Sequence, residues 1–272
     1  MISASPEAPI TIADSVTKLT NAHAGTVLIA GSHGGRFAAY VAARAGVRGV
    51  ILCDAGVGKD RAGIACLDYF DLLGRPAATV AHTSARIADA ADIRARGRVS
   101  HVNRAAAALG CAPGEPVAEA AARMTAAGPP VKAPPPYAEA RFPLLIEPGR
   151  PEVWGLDSIS LLGPQDQGRI IVAGSHGGLV GGRAVLGWSC RPRGAVFNDA
   201  GVGADRAGIA RLAVLDAEGI AGATVDCRTA RIGDARSTWA EGVLSHVNRI
   251  AADHGVAPGE TCRQFADRVS AC

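Results

Sequence analysis

Val27-Leu28-Ile29-Ala30-Gly31-Ser32-His33-Gly34-Gly35 decides how this chain is read, because it returns as Ile170-Ile171-Val172-Ala173-Gly174-Ser175-His176-Gly177-Gly178. The stretches that follow each copy recur in the same order. Residues 54–64 (Asp-Ala-Gly-Val-Gly-Lys-Asp-Arg-Ala-Gly-Ile) are matched by 199–209, with Ala204 in place of Lys59. Ala85-Arg86-Ile87 and Asp89-Ala90 answer to Ala230-Arg231-Ile232 and Asp234-Ala235, and Ser100-His101-Val102-Asn103-Arg104 to Ser245-His246-Val247-Asn248-Arg249. A repeat of this length and order reads as one supersecondary unit present twice, and it sets the frame for everything else.

Working outward from the glycine loop, residues 26–30 are a short apolar run of the kind that forms a fully buried strand. Residues 36–45 read as an alanine-rich helix closed by Gly46. Further strands are expected at 49–53 and 77–81, and their counterparts at 169–173, 194–198 and 223–227. Asp60 is placed to cap a helix running to about Leu73, and Ser100–Asn103 falls in a helix ending at Gly110. A last helix follows Pro113-Gly114-Glu115. Strands that are continuous apolar runs, alternating with helices, indicate a parallel sheet covered on both faces. The expected fold is therefore α/β, with two tandem three-stranded parallel βαβαβα units related by internal duplication and pseudo-twofold symmetry. The units span 10–127 and 153–272, joined by a linker over 128–152 whose core, Gly128 to Pro136, contains five prolines and reads as stiff and extended.

Composition narrows the function classes. The 272 residues are 48% hydrophobic and carry a net charge of only +3, without a basic run interleaved with aromatics, so nucleic acid is not an expected partner. No apolar run reaches the ~18 residues of a membrane span. The first residues do not form a signal peptide. Seven cysteines without C-x-x-C spacing fit reduced thiols better than a disulfide framework or structural zinc site. A cytoplasmic protein acting on a small molecule is expected; a homo-oligomer is compatible with the sequence.

In open parallel α/β sheets, ligands bind beyond the carboxyl ends of the strands. The repeated loops lie there. In the glycine loops, Gly34, Gly35, Gly177 and Gly178 are candidates to cradle an anion or to form an oxyanion hole. Ser32, His33, Ser175 and His176 are candidates for catalysis, against the plainer reading that the glycines make a tight turn and the serine caps a helix. The central residue is histidine, so the loop is not a G-x-S-x-G nucleophile elbow. Asp54 and Asp199 stand at strand ends, where each either orients a histidine, holds a metal or substrate, or accepts N–H bonds from its own glycine turn. Arg61, Arg86, Arg206 and Arg231 present planar forks suited to carboxylate or phosphate, unless they pair internally with Asp60, Asp89, Asp205 or Asp234.

Other motifs are excluded or demoted. Cys53 stands where a Walker loop needs its first glycine, and Asp60 follows Lys59, so residues 54–59 are not a phosphate loop. No G-x-G-x-x-G follows the first strand, which argues against a dinucleotide cofactor. His33, Asp54, His82 and His101 lack the spacing of a metal site, and no metal or cofactor is expected. The repeats also differ: Cys53 faces Asn198, and His82 faces Cys227. The sequence thus points to a cofactor-independent enzyme for a small, polar, anionic metabolite, by hydrolysis or elimination. The rival is a non-catalytic binding protein for an anionic small molecule.

Overall fold

The computed structural model describes residues 8–183 and 186–271. The chain divides into two units, the first made of residues 8–55, 63–137 and 203–205, the second of residues 56–62, 138–202 and 206–271.

In the first unit five strands lie in the order β1-β2-β3-β4-β5: β1 Ile10–Ala13, β2 Val27–His33, β3 Gly49–Cys53, β4 Ala77–Val80 and β5 Val99–Val102. The first four are parallel and β5 is antiparallel to β4. Val27, Leu28, Ile29, Val50, Ile51 and Leu52 are wholly buried, as continuous apolar strands between two helical layers should be. The helices are α1 Arg36–Arg44, α2 Cys66–Leu73, α3 Ala90–Arg96, α4 Arg104–Ala108 and α5 Val117–Met124.

The second unit carries six strands: β6 Arg141–Leu145, β7 Val153–Leu156, β8 Ile170–His176, β9 Gly194–Asn198, β10 Ala221–Val225 and β11 Leu244–Val247, with β6 at one edge and β11 at the other. β7 to β10 are parallel; β6 and β11 run antiparallel to their neighbours. Its helices are α6 Arg211–Ala217, α7 Ala235–Glu241, α8 Arg249–Asp253 and α9 Cys262–Ser270. Two apolar clusters pack on this sheet, one holding Phe265 and Val269 of α9, the other Leu212 and Leu215 of α6.

Four expectations are corrected. Each sheet is mixed and larger than three strands, because short edge strands add to the buried parallel core. Ser100–Val102 belongs to β5, not to a helix: Thr79 lies opposite His101 and Val80 opposite Val99, and only from Arg104 does a helix begin, capped by Asn103. Phe142 and its neighbours pair with β7, so a strand lies inside the stretch expected to be linker. Among the described residues, the helix after the first glycine loop has no counterpart after the second. Val180–Gly182 forms only a short turn, with Gly181 and Gly182 at positive φ.

Candidate functional site

The glycine loops close the β2 and β8 strands, and most of their groups are already engaged. A methyl group on Gly31 would stand 2.6 Å from the Asp14 carbonyl oxygen and 2.7 Å from the Ala88 carbonyl carbon. On Gly34 it would stand 2.4 Å from the Gly63 carbonyl oxygen. These glycines are therefore required by close backbone packing. The Ser32 hydroxyl accepts the Val16 N–H at 3.0 Å, and Ser175 accepts that of Ile159 at 2.9 Å. Neither serine caps the following segment; each holds the turn that follows the sheet's preceding strand, β1 or β7.

The amides are committed as well. Gly34 N–H donates to the Cys53 carbonyl at 2.7 Å and Gly35 N–H to His33 Nδ1 at 3.1 Å. Gly177 and Gly178 donate to the Asn198 carbonyl and to His176 Nδ1, at 2.9 and 3.0 Å. These four N–H groups are thus spent on fixed internal acceptors, and a donor so spent is not aimed at a developing charge. His33 keeps Nδ1 as an acceptor, and burial pushes its pKa down from 6.5 to about 4, so the ring is neutral.

The aspartate loops are strained. Ala55, Val57, Asp60 and Arg61 all have φ between 47° and 62°, and Ala200, Val202, Asp205 and Arg206 repeat the pattern between 50° and 62°. A left-handed conformation costs an L residue about 1–2 kcal/mol, more for a β-branched one such as valine. Such strain gathers where a structure holds a functional shape. It also removes the helix caps expected at Asp60 and Asp205: Ala65 and Ala210 precede the helices instead, and the two aspartates take ion pairs.

In the first unit Asp54, only 3% exposed, lies between β3 and β4. Its Oδ1 accepts the His82 backbone N–H at 3.0 Å and bonds His82 Nδ1 at 2.9 Å. A carboxylate accepts only, so Nδ1 carries the proton and Nε2 the lone pair. The His82 side chain is 24% exposed, and no hydrogen bond among the described residues engages Nε2. A buried carboxylate fixing the tautomer of a half-exposed imidazole is the arrangement of a general base. The segment at Gly203 to Asp205 secures the same loop, Ala204 N–H donating to the His82 carbonyl at 2.7 Å.

In the second unit the corresponding carboxylate, Asp199, accepts Gly201 N–H at 2.9 Å and Cys227 N–H at 3.0 Å. Cys227 stands where the first unit has His82. Burial and the neighbouring Asp199 and Asp226 charges push its thiol up to about 12, so it is protonated and no nucleophile. Burial does the same to Cys53, also to about 12. Asp199, Asp226 and Cys227 bring three donor atoms within 4.8 Å of one another and are the residues best placed to hold a cation. Asp226, however, is spent on Arg228.

The arginines divide in two. Arg86 pairs with Asp89 at 3.0 Å, Asp92 at 3.1 Å and Asp205 at 3.1 Å; Arg231 pairs with Asp234 at 3.1 Å and Asp60 at 2.9 Å. Their internal pairing is the reading the structure realises. Arg61 and Arg206, both exposed, make no ion pair among the described residues. The residue that sequence reasoning underrated is His82. It was visible at the third strand end, and as a position where the repeats differ, but its partner Asp54 lies 28 residues earlier and no spacing rule connects them.

No protein-family model, curated protein or solved structure matches the chain. No helix among the described residues is long and apolar enough to cross a membrane.

Proposed function

We propose that the chain is a cofactor-independent, cytoplasmic enzyme that hydrolyses a small, polar, anionic metabolite or eliminates from it, with His82 as general base. The observation that carries the reading is the His82–Asp54 dyad at the carboxyl ends of β3 and β4, where ligands of open α/β sheets bind. His82 Nε2 takes a proton from water or from the substrate carbon, and the imidazolium is balanced by Asp54. The proton then passes to the leaving group, which general acid–base catalysis of this kind accelerates about 10²–10⁴-fold. Ser32 and His33 close the neighbouring strand and shape the site. The sequence repeat reads as an internal duplication with pseudo-twofold symmetry in which only the first copy kept the base. Free thiols at Cys53, Cys66, Cys111, Cys190, Cys227 and Cys262 support a reducing compartment.

A second reading, non-catalytic binding of an anionic small molecule, is favoured by one observation in the second unit. There Cys227 replaces the base, while Arg61 and Arg206 carry charge without an ion pair among the described residues. One experiment separates the two. The protein is incubated with a panel of small carboxylates and phosphate esters, products are read by mass spectrometry, and melting temperature is followed in parallel. Turnover of one class, lost in a folded His82→Gln variant, supports the enzyme. Stabilisation by a ligand without any product favours binding, and full turnover by His82→Gln removes His82 from the mechanism.

A further inference from the structure

The first unit has a second feature, at the opposite end of the sheet from His82. A cleft of about 350 Å³ opens beside the amino ends of β3 and β4, walled by Leu73, Ala108, Leu109 and Val131 with Arg48 and Arg75 among its linings. No aspartate or glutamate lines it, and neither arginine has a carboxylate partner among the described residues. Arg75 is 6% exposed, which makes an uncompensated guanidinium there costly.

What compensates the two charges is backbone. Arg75 Nη1 donates to the Ala43 and Val47 carbonyls at 3.0 and 3.3 Å, at the carboxyl end of α1, and Nη2 to the Lys132 carbonyl at 2.7 Å. Arg48 Nη1 donates to the Ala127 carbonyl at 3.1 Å, just past α5. The Nε–H groups of both are buried without an acceptor. A helix carboxyl end is equivalent to about half a negative charge. Arg75 faces one such end, that of α1, whereas Ala127 lies three residues past the end of α5, so net positive charge remains in a cleft whose other walls are apolar. The second unit has Ile220 where the first has Arg75, so the feature is particular to the first unit.

We infer that this cleft binds an amphipathic monoanion, a small carboxylate with an apolar body, its headgroup on the remaining Arg48 and Arg75 N–H groups and its body against Leu73, Ala108 and Leu109. Arg48 spends one Nη1 N–H on Ala127, and its remaining Nη1 and Nη2 N–H groups form the fork that suits a carboxylate. Inorganic phosphate has no apolar body to meet the aliphatic walls, and a neutral alcohol would leave the guanidinium charge unanswered.

Isothermal titration and thermal shift of the full chain with octanoate test this, with octanol and inorganic phosphate as controls, all below micellar concentrations. Octanoate should bind and raise the melting temperature, with octanol and phosphate much weaker. Arg75 ties three backbone carbonyls and its loss threatens folding, so the variants are Arg48→Gln and Ala108→Phe, the first removing a donor fork and the second filling the cleft from an exposed helix position. Each should weaken octanoate about tenfold or more, the usual consequence of losing a hydrogen bond to a charged group or the space for the ligand. Octanoate without effect, octanol binding as well as octanoate, or either folded variant binding octanoate as the parent does, would overturn the inference. His82→Gln should leave octanoate binding intact, which separates this cleft from the proposed active site.

Discussion

Replacing Asp54 by asparagine removes one charge and leaves the side chain's shape. In the native protein Oδ1 serves two donors on His82, the backbone N–H at 3.0 Å and Nδ1–H at 2.9 Å. Hydrogen bonds to a charged group contribute about 1.5–3 kcal/mol each and neutral ones about 0.5–1.5, so losing charge assistance on two bonds costs about 2–3 kcal/mol. The amide also brings N–H donors into a site that is 3% exposed, adding about 1–3 kcal/mol wherever one finds no acceptor. Asp54→Asn should therefore lower stability by about 2–6 kcal/mol, read as an earlier urea midpoint. Nitrogen NMR of the imidazoles supplies the second readout. The native protein should show His82 protonated at Nδ1, and the variant a mixture of tautomers. Asp199→Asn is the control, since Asp199 Oδ1 serves two backbone N–H groups, those of Gly201 and Cys227. It should lose comparable stability and leave the His82 signal unchanged. A native His82 protonated at Nε2, or an Asp54→Asn variant within about 0.5 kcal/mol of the parent, the range of ordinary surface substitutions, would refute the dyad.

His33 sets a pH dependence. Its pKa is depressed in the folded state, so its contribution is complete above the ordinary value of 6.5 and is lost as pH falls toward about 4. At 1.36 kcal/mol for each pH unit the loss is up to about 3 kcal/mol, and urea midpoints of His33→Asn should be flatter across that window than those of the parent. Gly31→Ala drives a methyl group against backbone at 2.6 and 2.7 Å, where neither neighbour can swing away, and should cost about 3 kcal/mol. Gly128→Ala meets nothing within 4 Å and should be neutral in the same thermal melt. Asp89→Ala removes the cap on the Asp92 N–H at 2.9 Å and an Arg86 partner; it should cost about 0.5–2 kcal/mol by urea titration.

The parallel core was legible because buried parallel strands leave an unambiguous trace. Val27–Ala30, Gly49–Cys53 and their counterparts are apolar at every position but Asn198, and glycine or aspartate marks each carboxyl end. The edge strands left no such trace. Val99-Ser100-His101-Val102 has only two apolar residues and precedes alanines, so local pattern favours helix. Tertiary pairing with β4 overrides it, and Asn103 then starts the helix one turn later. The turns at Asp60 and Asp205 were unreadable for a different reason. A left-handed aspartate followed by a left-handed arginine is disfavoured by local energetics, so no propensity rule anticipates it. The arginine pairs were foreseen as an alternative because aspartates lie three residues away, at Asp89 and Asp234. For Asp54, orienting a histidine was among the readings, but nothing in the sequence singled out His82, since the contact joins two strand ends.

The repeated motifs draw attention, but their shared residues mostly build the scaffold. Ser32 and Ser175 each accept one backbone N–H. Asn103 accepts the Ala77 and Ala106 N–H groups and donates to the Arg75 carbonyl; Asn248 does the same with Gly222, Ala251 and Ile220. Thr79 meets Ser100, and Thr224 meets Ser245. A side chain whose donors and acceptors are spent on its own backbone explains why two stretches keep the same letters, and it leaves little capacity for a substrate. Chemistry should then be sought where equivalent positions diverge while the frame around them holds. Asp54 and Asp199 accept the backbone N–H of residues 82 and 227 with the same geometry, at 3.0 Å in both units. On that common frame one unit places an imidazole with a lone pair to offer and the other a protonated thiol. The same reasoning singles out Arg75 against Ile220, a buried charge against an aliphatic side chain at one position of one fold. Identical loops therefore argue for structure, and the divergent positions beside them, His82 and Arg75, are where we place the proposed base and the proposed anion.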